Sequence, residues 1–465
     1  MRRAIAGAFA LVLATFFVIS NLSARGNDET AAEGTRESVI GVIDAISPDS
    51  IHSFDLKLVS FGTRHTMSDT VSPTRGIGAA RRWIESKLRE FASSNPNFEV
   101  FKDEFTQPVS SRISRPTNIV NVYGILRGTE GPSGRYIVLS GHYDSIVGNF
   151  MDSTADAPGA DDDGSGASLV IEAVRAFTSS GFHPAANIVF LCCAAEEQGL
   201  YGSHHFAEMA RKNGWNVVAD LNNDIVGGTR GGNGVLDNSE VRVFSESLRE
   251  VTIGERKIPA SVFGYESDSP SRELARYINE AVKMYLPGFN TDLVFRSDRF
   301  LRGGDQISFN EFGYPAVRFT EPNEDYNHQH QYVRLENGVQ YGDLPQFVDP
   351  AFVAHVCRVN GTAAALLSLS PSQPQDPVMM VDKLEYGTRL NWKNPHSAGV
   401  SGWKVYFRET WQPLWTNWVF VPDTSAGDDI EAILPELSKD KYIFGIAAVG
   451  KNGVESPVVV PLPGR

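Results

Sequence analysis

Between residues 26 and 370 the chain alternates two hydrophobic patterns. Short unbroken apolar runs, "YIVLSG" (136–141) and "NIVFLCCA" (187–194), read as strands buried on both faces. "ADLNNDIVG" (219–227) and "YPAVRFTE" (314–321) are strand-like as well. Between them, "GIGAARRWIESKLREFASS" (76–94) has the period of an amphipathic helix, and "ASLVIEAVRAFTSSG" (167–181) puts Leu169, Val170, Ala173, Val174 and Phe177 on one helical face. Strands of this kind alternating with helices predict an α/β fold, a mixed and mainly parallel sheet with helices on both faces.

Near residue 370 the pattern changes. "SLSPSQPQDP" (368–377) has the composition of a linker. Beyond it, "RLNWKNP", "SGWKVYFRET", "WVFVPD" and "KYIFGIAAVGKNGVESP" alternate in short strands, which predicts a small all-β sandwich over 376–465. This part resembles a fibronectin type III domain, with Trp392 at its early core tryptophan and Tyr442 at its tyrosine corner. Trp411, Trp415 and Trp418 are expected to supply alternate members to the sandwich core, an exposed platform for sugar or protein being the other reading. Such a domain would serve as a spacer, as a module for attachment to a cell surface or polymer, or as a cap on the first domain.

At the other end, Arg2 and Arg3 precede an uncharged run at 4–20 and a small residue at Ala24. Residues 1–25 therefore read as a secretory signal peptide, with a retained N-terminal anchor as the alternative, and no other apolar run is expected to span a bilayer. The protein is expected to be exported, periplasmic or secreted. Its three cysteines, Cys192, Cys193 and Cys357, are too few for a disulfide framework and read as buried small hydrophobes. Its 56 acidic against 42 basic side chains give a formal charge of −14, which argues against nucleic-acid binding and leaves carboxylates for cations.

The chemistry is concentrated where apolar runs end. "GADDDGSG" (159–166) sets three carboxylates between glycines, by itself an ordinary acidic turn. But His142-x-Asp144 follows the first buried strand, Glu196-Glu197 follows the second, and Asp224 ends another. His328 and His330 lie in the polar loop "EDYNHQHQ". Loops beyond the carboxyl ends of parallel strands converge on one crevice, so residues far apart in the chain are expected to meet. Histidines and carboxylates without thiolates suit zinc in an open, catalytic site. Asp144 is expected to accept from the second ring nitrogen of His142 and fix its tautomer.

"SGHYDS", "PGADDDGSG", "AAEEQGLYGS" and "NNDIVG", in that order, resemble the co-catalytic zinc exopeptidases of metallopeptidase family 28, which include secreted bacterial aminopeptidases; glutamate carboxypeptidases and glutaminyl cyclases are similar. The resemblance implies a zinc peptidase domain over 26–370 holding two Zn2+ ions. It assigns one to His142 and Asp224 and the other to Glu197 and a C-terminal histidine, His330 in preference to His328. Asp162 bridges them, Glu196 is general base and acid, and Asp144 supports His142. Two departures stand out: the last histidine lies in His330-Gln331-Tyr332-Val333-Arg334, and Gly304-Asp305-Gln306 replaces the family's Ser-Asp-His. The implied reaction is hydrolysis of peptide substrates from the N-terminus. A carboxypeptidase or dipeptidase, a glutaminyl cyclase and a non-catalytic ectodomain are the alternatives. Arg296, Arg299 and Arg302 are candidates for holding a substrate carboxylate, and residues 228–270 read as an insertion that shapes the pocket.

Overall fold

The computed structural model describes residues 30–464 except 384, 396, 398 and 424–427. The expected leader lies outside the described residues. The chain divides into two compact units, one of residues 39–369 with 410–414, the other of 370–409 and 415–465 together with the chain before 39.

Helix α1 (30–45) precedes α2 (Pro48–Val59) and α3 (Ile77–Ala92) of the first unit. The main sheet has eight strands, β1 (Phe98–Gln107), β2 (Thr117–Leu126), β3 (Arg135–His142), β4 (Asn187–Cys193), β5 (Asn216–Asn223), β6 (Glu240–Ser245), β9 (Asn290–Val294) and β10 (Ala316–Thr320). Between β6 and β9 lies the hairpin β7 (Glu250–Ile253)–β8 (Arg256–Pro259), and beyond β10 the hairpin β11 (Arg334–Glu336)–β12 (Val339–Tyr341). The strand order is β1-β2-β4-β3-β5-β10-β6-β9. β4, β3, β5 and β10 run parallel, and the β1–β2, β2–β4 and β10–β6 pairs are antiparallel.

All eight residues of β3 and all seven of β4 are buried, as a strand covered on both faces requires. One face packs Val138, Leu191 and Cys193 against Phe206, Ala207 and Ala210 of α5 (Tyr201–Lys212) and Phe309 of α7 (Gln306–Glu311). The other face of β3 meets α4 (Gly166–Ser179) and α8 (Pro350–Leu369). Cys192, Cys193 and Cys357 are free and buried. α8 is long and apolar enough to cross a membrane by composition, contrary to the expectation of no second such run; 83% of its most apolar window is buried, so it is a core helix here. α6 (Pro270–Tyr285) packs against it. Residues 228–270 are not a mere insertion, because β6 within them is a strand of the main sheet.

The second unit holds two sheets. One joins β13 (Gln375–Met380), β14 (Thr388–Lys393), β17 (Asp429–Leu434) and β19 (Leu462–Gly464) in the order β17-β14-β13-β19. The other joins β15 (Val400–Glu409), β16 (Asn417–Pro422) and β18 (Tyr442–Gly450) in the order β16-β15-β18. Trp392 of β14 and Trp403 of β15 meet in the core with Phe444 and Ile446 of β18. The expectation for the other tryptophans fails. Trp411 is 75% and Trp418 53% exposed, and Trp415 is half-buried outside that core cluster. β16 is the edge strand of its sheet, and Trp418 there meets the Lys404 ammonium, 4.5 Å from its ring centre, instead of the core. The ring of Tyr442 packs edge-on against Phe407.

Candidate metal centre

The acidic stretch becomes an irregular helical turn, Ala160–Ser165, that delivers the chain into α4. Gly159 is left-handed (φ 54°), and a Cβ there would lie 2.5 Å from that of Ser145. Only glycine meets both demands. The three aspartates then part company. Asp163 turns inward as a structural acceptor: its carboxylate takes the backbone N–H of His142 (2.9 Å), Gly166 (2.9 Å) and Ile225 (3.3 Å), tying the ends of β3 and β5 to the start of α4. Asp161 accepts from the Gly227 N–H at 2.7 Å. Asp162 alone faces both histidines of the centre.

Its Oδ1 lies 3.3 Å from His142 Nε2 and its Oδ2 2.8 Å from His330 Nε2. Around these contacts two groups form, with ligand atoms within 4.8 Å of one another: His142, Glu196 and Asp224, and Asp162, Glu197 and His330. His142 Nε2 is 3.9 Å from Asp224 Oδ1, and His330 Nε2 is 3.0 Å from Glu197 Oε1. His328 is elsewhere, with its ring stacked on Phe347 at 3.5 Å between centroids. The structure therefore brings His142, Asp162, Glu196, Glu197, Asp224 and His330 together and leaves His328 out.

These residues fit zinc on two grounds. His142 Nε2, His330 Nε2 and Glu197 Oε1 are buried and, close as they lie to one another and to Asp162, make no hydrogen bond of good geometry among the described residues; such atoms are costly unless something coordinates them. The electrostatics also call for positive charge. Against the desolvation that favours a neutral ring, Glu197 and Asp162 hold the His330 imidazole up at about 11. Desolvation likewise opposes Asp163, Asp144 and Asp162 at His142, yet its ring is held well above the usual range. Burial, offset by His142 and joined by Asp224 and Glu197, pushes the Glu196 carboxyl up. Protons can satisfy such a cluster, and so can divalent cations.

Asp144 does not act as expected. The nearest acceptor for His142 Nδ1 is the Asp144 backbone carbonyl, at 3.1 Å, with the carboxylate at 3.6 Å. A carbonyl only accepts, so Nδ1 carries the hydrogen and Nε2 keeps its lone pair for a metal. The carboxylate instead accepts the Glu196 N–H at 3.2 Å, the Glu197 N–H at 3.3 Å and the Thr66 hydroxyl at 3.2 Å. Asp144 thus aims the glutamate pair. Ala195, just before that pair, and Ile225, just after Asp224, both sit at positive φ, near 60°. For a β-branched residue like Ile225 that is strained backbone, of the kind that collects at functional sites.

Several supporting residues escaped the sequence. Asp343 accepts the N–H groups of Asp161 and Asp162, both at 2.8 Å, from 181 or more residues away. Arg318, fully buried on β10, places Nη2 2.8 Å from Asp224 Oδ1 and Nη1 3.1 Å from Asp298 Oδ2. An arginine inside an apolar strand was the available signal, since such a residue is seldom buried without a carboxylate. Arg64 holds the loop from beneath, donating to the carbonyls of Tyr143, Pro158 and Gly159.

The centre opens into a cavity of about 480 Å³ whose lining includes Glu196, Glu197, Asp162, Asp224, His330, Val147, Phe150 and Leu301. Of the three arginines proposed for a carboxylate, Arg296 lies over the Phe300 ring instead of lining the cavity. Arg299 is engaged with Glu324 (2.8 Å) and Asp298 (3.1 Å). Arg302 does line it, and so does Arg112, which the sequence did not single out. Gly228 and Arg230, from the segment expected to shape this pocket, line a separate cavity of about 310 Å³.

Residues 121–332 match the family described as Peptidase family M28. A probable zinc metalloprotease of Leptosphaeria maculans is 42% identical over 432 residues, 92% of this chain and 97% of that protein. The chain belongs to peptidase family M28. Another probable zinc metalloprotease, from Pyricularia oryzae, is 44% identical over 92% of this chain and 84% of its own length. Among solved structures, the LapA aminopeptidase of Legionella pneumophila aligns with a TM-score of 0.52 at 20% identity, over 72% of this chain and 75% of that one. An Aneurinibacillus aminopeptidase aligns with a TM-score of 0.50 at 12% identity, over 71% and 96%. These structures share the fold of this M28 chain, a zinc metallopeptidase and hence a hydrolase.

Proposed function

We propose that this M28 peptidase is an aminopeptidase holding two zinc ions, one at His142 and Asp224 and one at Glu197 and His330, with Asp162 shared between them. The observation that carries the reading is Asp162, which directs one carboxylate oxygen at each histidine. Zinc bound there supplies Lewis acidity toward a carbonyl and lowers the pKa of a water.

The chain's own groups do the rest. Glu196, half-buried on the cavity wall, takes a proton from the attacking water and returns it to the leaving amine. Asp144 keeps Glu196 and Glu197 in register through their backbone N–H groups. Both aligned bacterial proteins are called aminopeptidases, which favours the N-terminus as the end attacked. Export through the leader and a fibronectin type III-like attachment role for the second unit belong to the same proposal.

Product analysis by mass spectrometry tests it. Matched peptides are offered to zinc-loaded protein with the N-terminus free or acetylated and the C-terminus free or amidated. The expected result is stepwise loss of N-terminal residues, abolished by acetylation. Release from the C-terminus, or cyclisation of N-terminal glutamine, contradicts it.

A further inference from the structure

The metal clusters leave two cavity charges unexplained. All four carboxylates that line the cavity, Asp162, Glu196, Glu197 and Asp224, belong to those clusters, and two divalent cations neutralise them. Arg299 is matched by Asp298 and Glu324. Arg112 and Arg302 remain. The Arg302 guanidinium has no hydrogen-bond, ion-pair or ring partner among the described residues, though it is only half-exposed on the cavity wall. Arg112 is fixed without being neutralised. Its Nη1 donates to the Glu197 carbonyl at 2.8 Å, and its guanidinium lies 4.9 Å from the centre of the Phe150 ring. That bond ties the guanidinium to the main chain of a residue whose side chain is in the metal cluster, on the wall of the same cavity. Guanidinium groups left without a carboxylate in a partly enclosed cavity favour an anion, and their planar forks match a carboxylate in particular. The cavity lining also offers apolar side chains, Val147, Phe150 and Leu301.

We infer that Arg112 and Arg302 bind a carboxylate of the substrate, so that the preferred substrates are short peptides with an apolar first side chain and a negative charge on the second residue. This rests on the exopeptidase reading and adds the substrate class to it. The carboxylate is either the free C-terminus of a dipeptide or an acidic second side chain.

Steady-state kinetics on the zinc-loaded full chain separate these sources. Leu-Ala is compared with Leu-Ala amide, and Leu-Glu amide with Leu-Gln amide. At least one charged member is expected to show a KM about tenfold or more below its neutral partner, and the pair concerned identifies the source. Arg302→Gln brings that ratio close to one, Arg302→Lys restores part of it, and Arg112→Gln reduces it. Arg296→Gln, outside the cavity, leaves it alone. Equal KM values within both wild-type pairs, or a ratio that survives both Arg112→Gln and Arg302→Gln, overturns the inference. If no peptide is cleaved, the peptidase reading fails, and calorimetry with the same four peptides decides the inference separately. Tighter binding of a charged member, lost in Arg302→Gln, upholds it; equal or undetectable binding of all four overturns it.

Discussion

The two halves of the metal centre are built differently. His142 and Asp224 stand at the ends of parallel strands, with side chains 1% and 4% exposed. Every neighbour is committed: Asp163 holds the His142 N–H, the Asp144 carbonyl fixes its tautomer, and Arg318 grips Asp224. Opposite them, His330 comes from a loop, its side chain 33% exposed and its backbone left-handed at φ 51°. One half is set by the sheet, and the other is closed over it by a loop. The difference teaches where rigidity and exchange should lie: the strand-borne half is preformed by the fold, and the loop-borne half depends more on the metal for its order.

The largest test erases the comparison altogether. Asp162→Ala removes the carboxylate common to both halves, and elemental analysis is expected to find both metals lost with activity below detection. Retention of two zinc ions would remove Asp162 from its bridging role.

Next come substitutions that treat the halves separately. Arg318→Met strands the buried carboxylate of Asp224 and leaves Asp298 to Arg299, an uncompensated burial that costs about 3–5 kcal/mol. His330→Ala is expected to cost less than that in the metal-free protein, because its side chain is 33% exposed where that of Arg318 is fully buried, while abolishing one metal site. Denaturant unfolding of chelated samples measures both, and similar losses would mean that the two halves are equally built into the fold.

A third test lies beneath the acidic loop. Asp55 is buried, and desolvation, against the pull of Arg64 and with help from Asp161, pushes its carboxyl to about 8 from the ordinary 3.8. Below pH 4 both folded and unfolded chains hold this proton. As pH rises toward 8 the unfolded chain releases it first, so stability falls across that window and levels off above it. Between pH 5 and 7 the fall is about 3 kcal/mol. Asp55→Asn should flatten that slope and be more stable at pH 7. Parallel slopes in mutant and wild type would show that Asp55 ionises normally.

The smallest effect is in exchange. Stepwise chelation should release the His330 metal at about tenfold lower chelator concentration than the other, in line with the weight of supporting contacts around a ligand. Simultaneous release would collapse the distinction.

Much of the strand-borne half was legible in the sequence. Apolar runs as continuous as "YIVLSG" and "NIVFLCCA" can only be buried strands, and the residues just beyond the carboxyl ends of such strands gather at one edge of an α/β sheet. That logic gathered His142, Glu196, Glu197 and Asp224 at one edge, while the choice of Asp162 among three neighbouring aspartates came from the resemblance to the zinc exopeptidases. It could not separate His330 from His328, which share a loop two residues apart; packing of His328 on Phe347 does that. Nor could it find Asp343, whose partners lie 181 or more residues away, Arg318, which is 94 residues from Asp224, or Arg112, whose place depends on the Glu197 carbonyl. Asp144 was assigned to the right neighbourhood with the wrong donors, because a dipeptide spacing does not reveal whether the carbonyl or the carboxylate faces the ring. In the second unit, alternation identified strands but not which strand lay at an edge, and so Trp418 was expected inside.

One measurement tests the central claim most directly: zinc per chain and kcat determined together for the wild type and Glu196→Gln. Glu196 lies within reach of His142 and Asp224, so it is placed either to move protons or to hold metal. The account predicts two zinc ions in both proteins and a kcat lower by about 10²–10⁴ in the variant, the share usual for acid–base catalysis. A fall to one zinc in Glu196→Gln would make Glu196 a ligand and contradict the account.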